Sequence, residues 1–213
     1  MRTATRHLVK SDAALAAVIK AVGPCRLTQH TDGTHFGYVL RSIVYQQLSG
    51  KAAATIFGRV VALFPDHIPT PDAVARARKA TLRKAGLSER KAEYARELAV
   101  RTRSGELPIE QLHLMTDDEV MATLVSVRGI GRWTAQMVLM FRLGRPDILP
   151  ELDLGVQKAV QRMLRMRKLP TPEQLQKIGT KWAPHRTVAA WYLWRSLDLP
   201  AEPVVRPAPQ PLP

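Results

Sequence analysis

The sequence predicts an all-α protein, and three observations carry that prediction. Apolar residues recur at three- and four-residue spacing along nearly the whole chain. No run of residues alternates between apolar and polar over the length of a strand. Proline and glycine divide the apolar stretches into lengths that suit short helices.

The elements follow in order. Ser11 and Asp12 are N-cap residues ahead of the apolar run Ala13-Ala14-Leu15-Ala16-Ala17-Val18-Ile19. Next, Phe36, Val39, Leu40, Ile43, Val44, Leu48, Ile56, Val60 and Leu63 keep helical spacing. That stretch is too long for one typical helix; Leu48-Ser49-Gly50 predicts a break, and Pro65 ends it. Thr70-Pro71-Asp72 opens a short helix with proline in its first turn. Another begins at Thr81-Leu82 and stops at Gly86, and a longer one runs from Ser88 through Ala99. Thr116 and Glu119 have capping-box spacing ahead of Val120, Leu124 and Val127. Thr171-Pro172-Glu173 repeats the proline start, and residues 185–197 make the last long helix. Residues 201–213 are proline-rich and are expected to form a disordered tail.

A length of 213 residues allows one domain, or two small lobes, with a real core. No apolar run approaches the roughly 18 residues of a membrane span, and no apolar signal segment follows the N-terminus. Cys25 is the single cysteine, which excludes an internal disulfide, a four-cysteine zinc site and a cysteine-ligated iron–sulfur cluster. The histidines show no H-x-x-x-H spacing, and no phosphate-cradling or dinucleotide-binding glycine pattern occurs. These features predict a cytoplasmic protein without a side-chain metal site, a cofactor or a membrane partner.

Charge points to the partner. Thirty-two Lys+Arg stand against 18 Asp+Glu, a formal net of +14 and a pI near 10.6. The excess recurs along the chain: Arg76, Arg78, Lys79, Arg83 and Lys84, then Arg90 to Arg103, then Arg162, Arg165, Arg167 and Lys168. A folded, broadly basic domain attracts polyanions, of which nucleic acid is the commonest; the alternative is a solvated basic surface.

The sharpest motif is Val127-Arg128-Gly129-Ile130-Gly131-Arg132-Trp133-Thr134-Ala135. Two glycines flank one aliphatic residue between segments with helical spacing, the second carrying Ala135, Val138, Leu139 and Arg142. Glycines let the backbone turn sharply and approach a ligand, and the free N–H groups of the following helix suit a phosphate. Asp153 follows in Leu149-Pro150-Glu151-Leu152-Asp153-Leu154-Gly155, where it could cap a helix over 154–164, supply chemistry, or do both.

The stretch from Leu124 to Ala135 resembles the helix–hairpin–helix of base-excision DNA glycosylases. Arg41-Ser42-Ile43-Val44-Tyr45-Gln46-Gln47-Leu48-Ser49 resembles the element those enzymes press into the minor groove. Ala85-Gly86-Leu87-Ser88-x-x-Lys91-Ala92 and Trp182-Ala183-Pro184-His185-Arg186 also match, and the similarity covers about residues 8–198. The 3-methyladenine DNA glycosylase II type is the branch it resembles most. The resemblance implies a two-lobed helix–hairpin–helix glycosylase fold without an N-terminal β domain. One lobe would span about 36–142; the other would combine about 1–35 with 143–200.

The resemblance also implies roles. Asp153 falls on the catalytic aspartate, stabilising the positive charge that builds on the sugar and orienting or deprotonating water. Glu151 is expected to be an outward neighbour. Trp133 stands where strand-cutting relatives carry a Schiff-base lysine, so the implied enzyme removes a base and leaves an abasic site. Trp133 and Trp194 would wall the pocket, with Met137 and Leu154 standing where aromatics occur in the enterobacterial-type enzyme; Trp182 and Trp191 are expected in the core. An indole face suits cationic bases such as 3-methyladenine or 7-methylguanine. Gln47 or Leu48 would be the DNA wedge, and Arg128, Gly129, Gly131, Arg132 and Thr134 the phosphate contacts, with a monovalent cation on hairpin carbonyls as a further possibility. The implied partner is duplex DNA with alkylated bases, bound by a monomer. The rivals are a glycosylase/lyase for oxidised bases and a DNA-binding module without catalysis.

Overall fold

The structure, a computed structural model, describes residues 1–200; the expected proline-rich tail, 201–213, lies outside the described residues. Among the described residues all regular structure is helical. Two helices open the chain, α1 (Arg2–Ser11) and α2 (Ala13–Val22). The first is an addition to the predicted set. It buries only Ala4 and Leu8, and its one further apolar residue, Val9, is exposed, so its apolar periodicity is too thin to read. Asp12 separates the two and caps α2, its carboxylate accepting from the amides of Ala14 at 3.0 Å and Leu15 at 3.2 Å. The same carboxylate takes the indole N–H of Trp182 at 2.8 Å and the Lys181 ammonium at 3.0 Å. Burial pushes the Asp12 carboxyl up, but these donors outweigh it and hold the group below its ordinary value.

Next come α3 (His35–Tyr45) and α4 (Gly50–Val61), broken where the sequence places the break. Leu48 and Leu63, members of the periodic series, lie past the ends of these helices and are exposed. The chain continues through α5 (Pro71–Arg76), α6 (Lys79–Lys84), α7 (Glu89–Arg103), a 3₁₀ turn (Ile109–Leu114), α8 (Asp117–Val125) and α9 (Arg132–Met137). Thr70, Ser88 and Thr116 cap as their sequence signals predict, and Thr116 with Glu119 completes the capping box. Beyond a π turn (Val138–Arg142) lie α10 (Leu154–Met163), α11 (Pro172–Gly179), a 3₁₀ turn (Thr180–Trp182) and α12 (Arg186–Ser196).

Packing joins neighbours into one core. Helix α3 packs on α4, α7, the 109–114 turn and the π turn; α5 and α6 lie on α7, and α8 on α9. Helix α12 packs on α1, α2 and α10. Phe36, Leu40, Ile43, Leu98, Leu124, Trp182 and Tyr192 are all buried in a continuous apolar cluster.

Arg142 ties the segment before α3 to the π turn. The sequence reads it as one more helical position, but it lies buried on the π turn. Its Nε donates to His35 Nδ1 at 2.9 Å, and its Nη groups donate to the carbonyls of His30, Asp32 and Gly33. The carbonyl of Arg142 in turn accepts from Gln29 Nε2 at 2.8 Å. The connection before α3 is thereby fastened to the helix that follows the hairpin. His35 must be neutral to accept the Arg142 bond. Burial first, then the Arg142 charge, push its imidazole below its ordinary value of 6.5; His113 adds to this and Glu110 opposes it.

Replacing Arg142 with Met strands three carbonyls and is expected to destabilise the fold by about 3–5 kcal/mol in urea unfolding. A protein whose folded His35 titrates below 6.5 is stable above that pH and loses stability as pH falls through it. The wild type should therefore lose stability on acidification below 6.5. An Arg142→Met variant should show a shallower dependence in the same measurement.

Candidate active site

The hairpin joins α8 to α9. Val127 and Ile130 point into the core, and Gly129 turns the chain at φ +83°. A Cβ on Gly129 would lie 2.1 Å from the ring of Tyr94, so conformation and contact both require glycine here. Gly131 is different: its φ is −90°, and a Cβ there would meet open space. The N-terminus of α9 has no side-chain cap. Arg128 turns aside to Glu97 on α7, pairing with it through Nε and through its backbone amide. Thr134 is buried, and its hydroxyl accepts from Gln46 Nε2 at 3.3 Å.

Gln46 belongs to the loop between α3 and α4. Its amide donates more tightly to the Gly129 carbonyl, at 2.7 Å, tying this loop to the hairpin. The same loop is gripped from α7. Lys91 Nζ donates to the carbonyls of Val44 at 2.8 Å and Gln46 at 2.6 Å, the free carbonyls where α3 ends. Burial pushes the Lys91 ammonium below its ordinary value. Between these anchors Gln47 sits exposed in the left-handed region at φ +57°, and Leu48 beside it is 39% exposed.

Asp153 caps α10. Its Oδ1 accepts from the amide of Val156 at 2.8 Å and from the indole N–H of Trp194 at 2.8 Å. Its Oδ2 accepts the indole N–H of Trp133, on α9, at 2.7 Å. Trp194 is half-buried and stacks on Phe141 with ring centroids 5.9 Å apart. Gly155 leaves it room: a Cβ there would stand 2.9 Å from Asp153 Oδ1 and 3.0 Å from Trp194 Cδ1. Trp133 is 42% exposed and Leu154 is 52% exposed, while Met137 is half-buried against the core. Trp182 is fully buried, whereas Trp191, expected in the core, is half-buried and meets Tyr192 edge to face. Among the described residues no group of metal-ligating side chains forms. The hairpin carbonyls of Val127, Gly129 and Gly131 each already accept a hydrogen bond, from Ile130, Gln46 and Ala135, which a cation would have to share.

Glu151 corrects its sequence reading. It points inward and is 5% exposed, pairing with Arg132 Nε at 2.5 Å and accepting from Gln136 Nε2 at 2.7 Å. Arg132 and Gln136 on α9 reach across to the connection running beside that helix, and Glu151 turns toward them. Gln136 Nε2 also bonds the Leu149 carbonyl at 3.1 Å, and Gln157 Nε2 the Glu151 carbonyl at 2.9 Å. Further back, the Asp147–Arg186 pair at 2.7 Å and the Ile148 amide on Thr187 Oγ1 at 3.0 Å fix the connection to α12. Gln46, Gln136 and Arg142 carry no sequence signal of these roles. Lys91 and Gly155 stood in quoted motifs without an assigned task.

Burial pushes the Glu151 carboxyl up, but the Arg132 bond, its own backbone amide and Gln136 hold it below its ordinary 4.5. Its stabilising contribution is therefore present above that pH and disappears as pH falls through the depressed value. Replacing Glu151 with Gln is expected to cost about 1–3 kcal/mol at neutral pH, since Arg132 is half-exposed. In urea titrations the gap between variant and wild type should narrow on acidification.

Residues 40–185 match the family model described as the HhH-GPD superfamily base excision DNA repair protein. The chain is 30% identical over 197 residues to alkylbase DNA glycosidase-like protein mag2 of Schizosaccharomyces pombe, spanning 91% of this chain and 92% of that one. It is 33% identical over 196 residues to DNA-3-methyladenine glycosylase 1 of the same organism, spanning 91% and 86%. The solved structure of the S. pombe 3-methyladenine DNA glycosylase Mag1 with abasic DNA superposes with a TM-score of 0.86 at 32% identity, over 94% of this chain and 99% of that one. A DNA-3-methyladenine glycosidase from Bacillus halodurans gives 0.81 at 36% identity, over 91% and 88%. With its helical fold and its glycine hairpin, this chain belongs to the HhH-GPD superfamily of base excision DNA repair proteins.

Proposed function

We propose that this chain is a monofunctional DNA glycosylase that hydrolyses the N-glycosidic bond of alkylated bases, such as 3-methyladenine and 7-methylguanine, in duplex DNA. The observation that carries this reading is one carboxylate, Asp153, held between the indoles of Trp133 and Trp194. Among the described residues its donors are two indoles and a backbone amide, and none is an amine that could form a Schiff base.

The lesion leaves the stack first, which costs a few kcal/mol and least for a damaged pair. The Gln47–Leu48 loop fills the gap from the minor groove, braced by Gln46 and Lys91. The hairpin around Gly129 and Gly131 approaches a phosphate, and the exposed part of Arg132 adds charge to it. Thr134 contributes through its backbone, because its hydroxyl is buried, and Arg128 must leave Glu97 to take part. As the bond to the base breaks, positive charge builds on the sugar, and the nearby carboxylate stabilises it. Indole faces attract a cationic base by about 1–2 kcal/mol when desolvated. Exposed Leu154 and half-buried Met137 leave the pocket wall soft on one side.

In this reading the site lies between two lobes, about 36–142 and about 1–35 with 143–200, and the protein works as a monomer on nucleoid DNA. No helix among the described residues is long and apolar enough to cross a membrane.

On a methylated duplex, Asp153→Asn is expected to lower single-turnover base release by at least about 100-fold. Equal release by the two proteins would sink the assignment of Asp153. Borohydride added to enzyme and abasic DNA should trap nothing; a covalent adduct would instead identify a glycosylase/lyase.

A further inference from the structure

Resting on the glycosylase reading, we infer that the indole N–H groups of Trp133 and Trp194 hold Asp153 in one orientation, which makes both tryptophans positioning residues for the reacting carboxylate. This use of the rings is separate from any stacking of a base on their faces. The two donors come from different helices and take different oxygens: Trp133 on α9 bonds Oδ2 at 2.7 Å, and Trp194 on α12 bonds Oδ1 at 2.8 Å. Such a pair stops rotation about the bond to the carboxylate, because turning it would break both contacts together. The Val156 amide fixes Oδ1 a second time, at 2.8 Å.

Three features of the chain maintain this arrangement. Gly155 supplies the space, since any Cβ there would press on both Asp153 Oδ1 and the Trp194 ring. Phe141, on the π turn, stacks on Trp194 at 5.9 Å and sets the plane of its indole. Glu151 grips Arg132, the residue before Trp133, so the two ends of the Trp133–Asp153 contact are tied a second time by a parallel bond.

A carboxylate has about four acceptor sites, and here three are filled by N–H donors. One acceptor direction, on Oδ2, has no donor among the described residues and is the one a reacting sugar or a water could take. No proton or electron has to be moved through the tryptophans. Their contribution is orientation, and a displacement of about 1 Å at a reacting centre is enough to cost roughly 100-fold in rate.

The test replaces one indole at a time with benzothienylalanine, in which sulfur stands in place of the N–H while ring size and face are kept. At 133 or 194 the single-turnover rate of 7-methylguanine release from a methylated duplex should fall about 10- to 100-fold. The affinity for an abasic-site duplex should stay within about twofold, because no DNA contact is removed. The same exchange at Trp182, whose N–H bonds Asp12 far along the sequence, should leave the release rate unchanged. In parallel, the indole ¹⁵N–¹H resonances of Trp133 and Trp194 should shift in an Asp153→Ala variant. Unmoved resonances, or wild-type release by both analogues, would overturn the inference while leaving the glycosylase reading intact. A wild type that releases no base, yet whose indole resonances respond to Asp153, would overturn the activity and keep the carboxylate's orientation.

Discussion

In the proposed reading a carboxylate must not turn away from an electron-poor sugar, and that constraint falls on a stretch outside the helices. The connection from the π turn to α10 carries Asp153 at its end. It is held by side chains from both flanks instead: Gln136 and Arg132 on α9, Thr187 and Arg186 on α12, and Gln157 on α10. Buried backbone groups need partners, and here those partners also give the connection its shape. The cap on α10 then turns a loose end into a rigid one, because the oxygen that satisfies the Val156 amide belongs to the same carboxylate.

The hairpin depends on a comparable economy of contacts. Its glycines are not interchangeable. Gly129 is forced by its positive φ and by Tyr94, whereas Gly131 has an ordinary backbone and an open face. One therefore shapes the turn, and the other keeps its outer surface free of side chain. Gln46 and Lys91 anchor the Gln47–Leu48 loop to the hairpin and to α7. In the proposed reading this means that gripping the DNA backbone and probing the stack are geometrically linked.

The helical plan was legible because caps and breaks are local chemistry. Thr70, Ser88, Thr116 and Thr171 each announce a helix through one oxygen and one amide, and Gly86 ends one. Asp153 was legible as the cap of α10 for the same reason. Helix α1 escaped notice because two buried residues do not make a readable stripe. The outward position expected for Glu151 did not hold, because its partners Arg132 and Gln136 stand 19 and 15 residues away and meet it only once α9 lies beside it. Nothing in the residues around Arg142 says that its guanidinium would close onto the carbonyls of residues 30–33.

By itself the sequence determined the all-α class, the position of the hairpin, the basic character and the aspartate, all of which depend on near neighbours or on summed charge. It also placed tryptophan rather than lysine at position 133. Only the tertiary structure decided which way those side chains face. Trp133 and Asp153 lie 20 residues apart and Trp194 a further 41, and no local rule brings three such groups to one point. Hydrogen bonds between them form only after the apolar faces of α9, α10 and α12 have packed, because packing sets the distance and direction that a bond of this length requires.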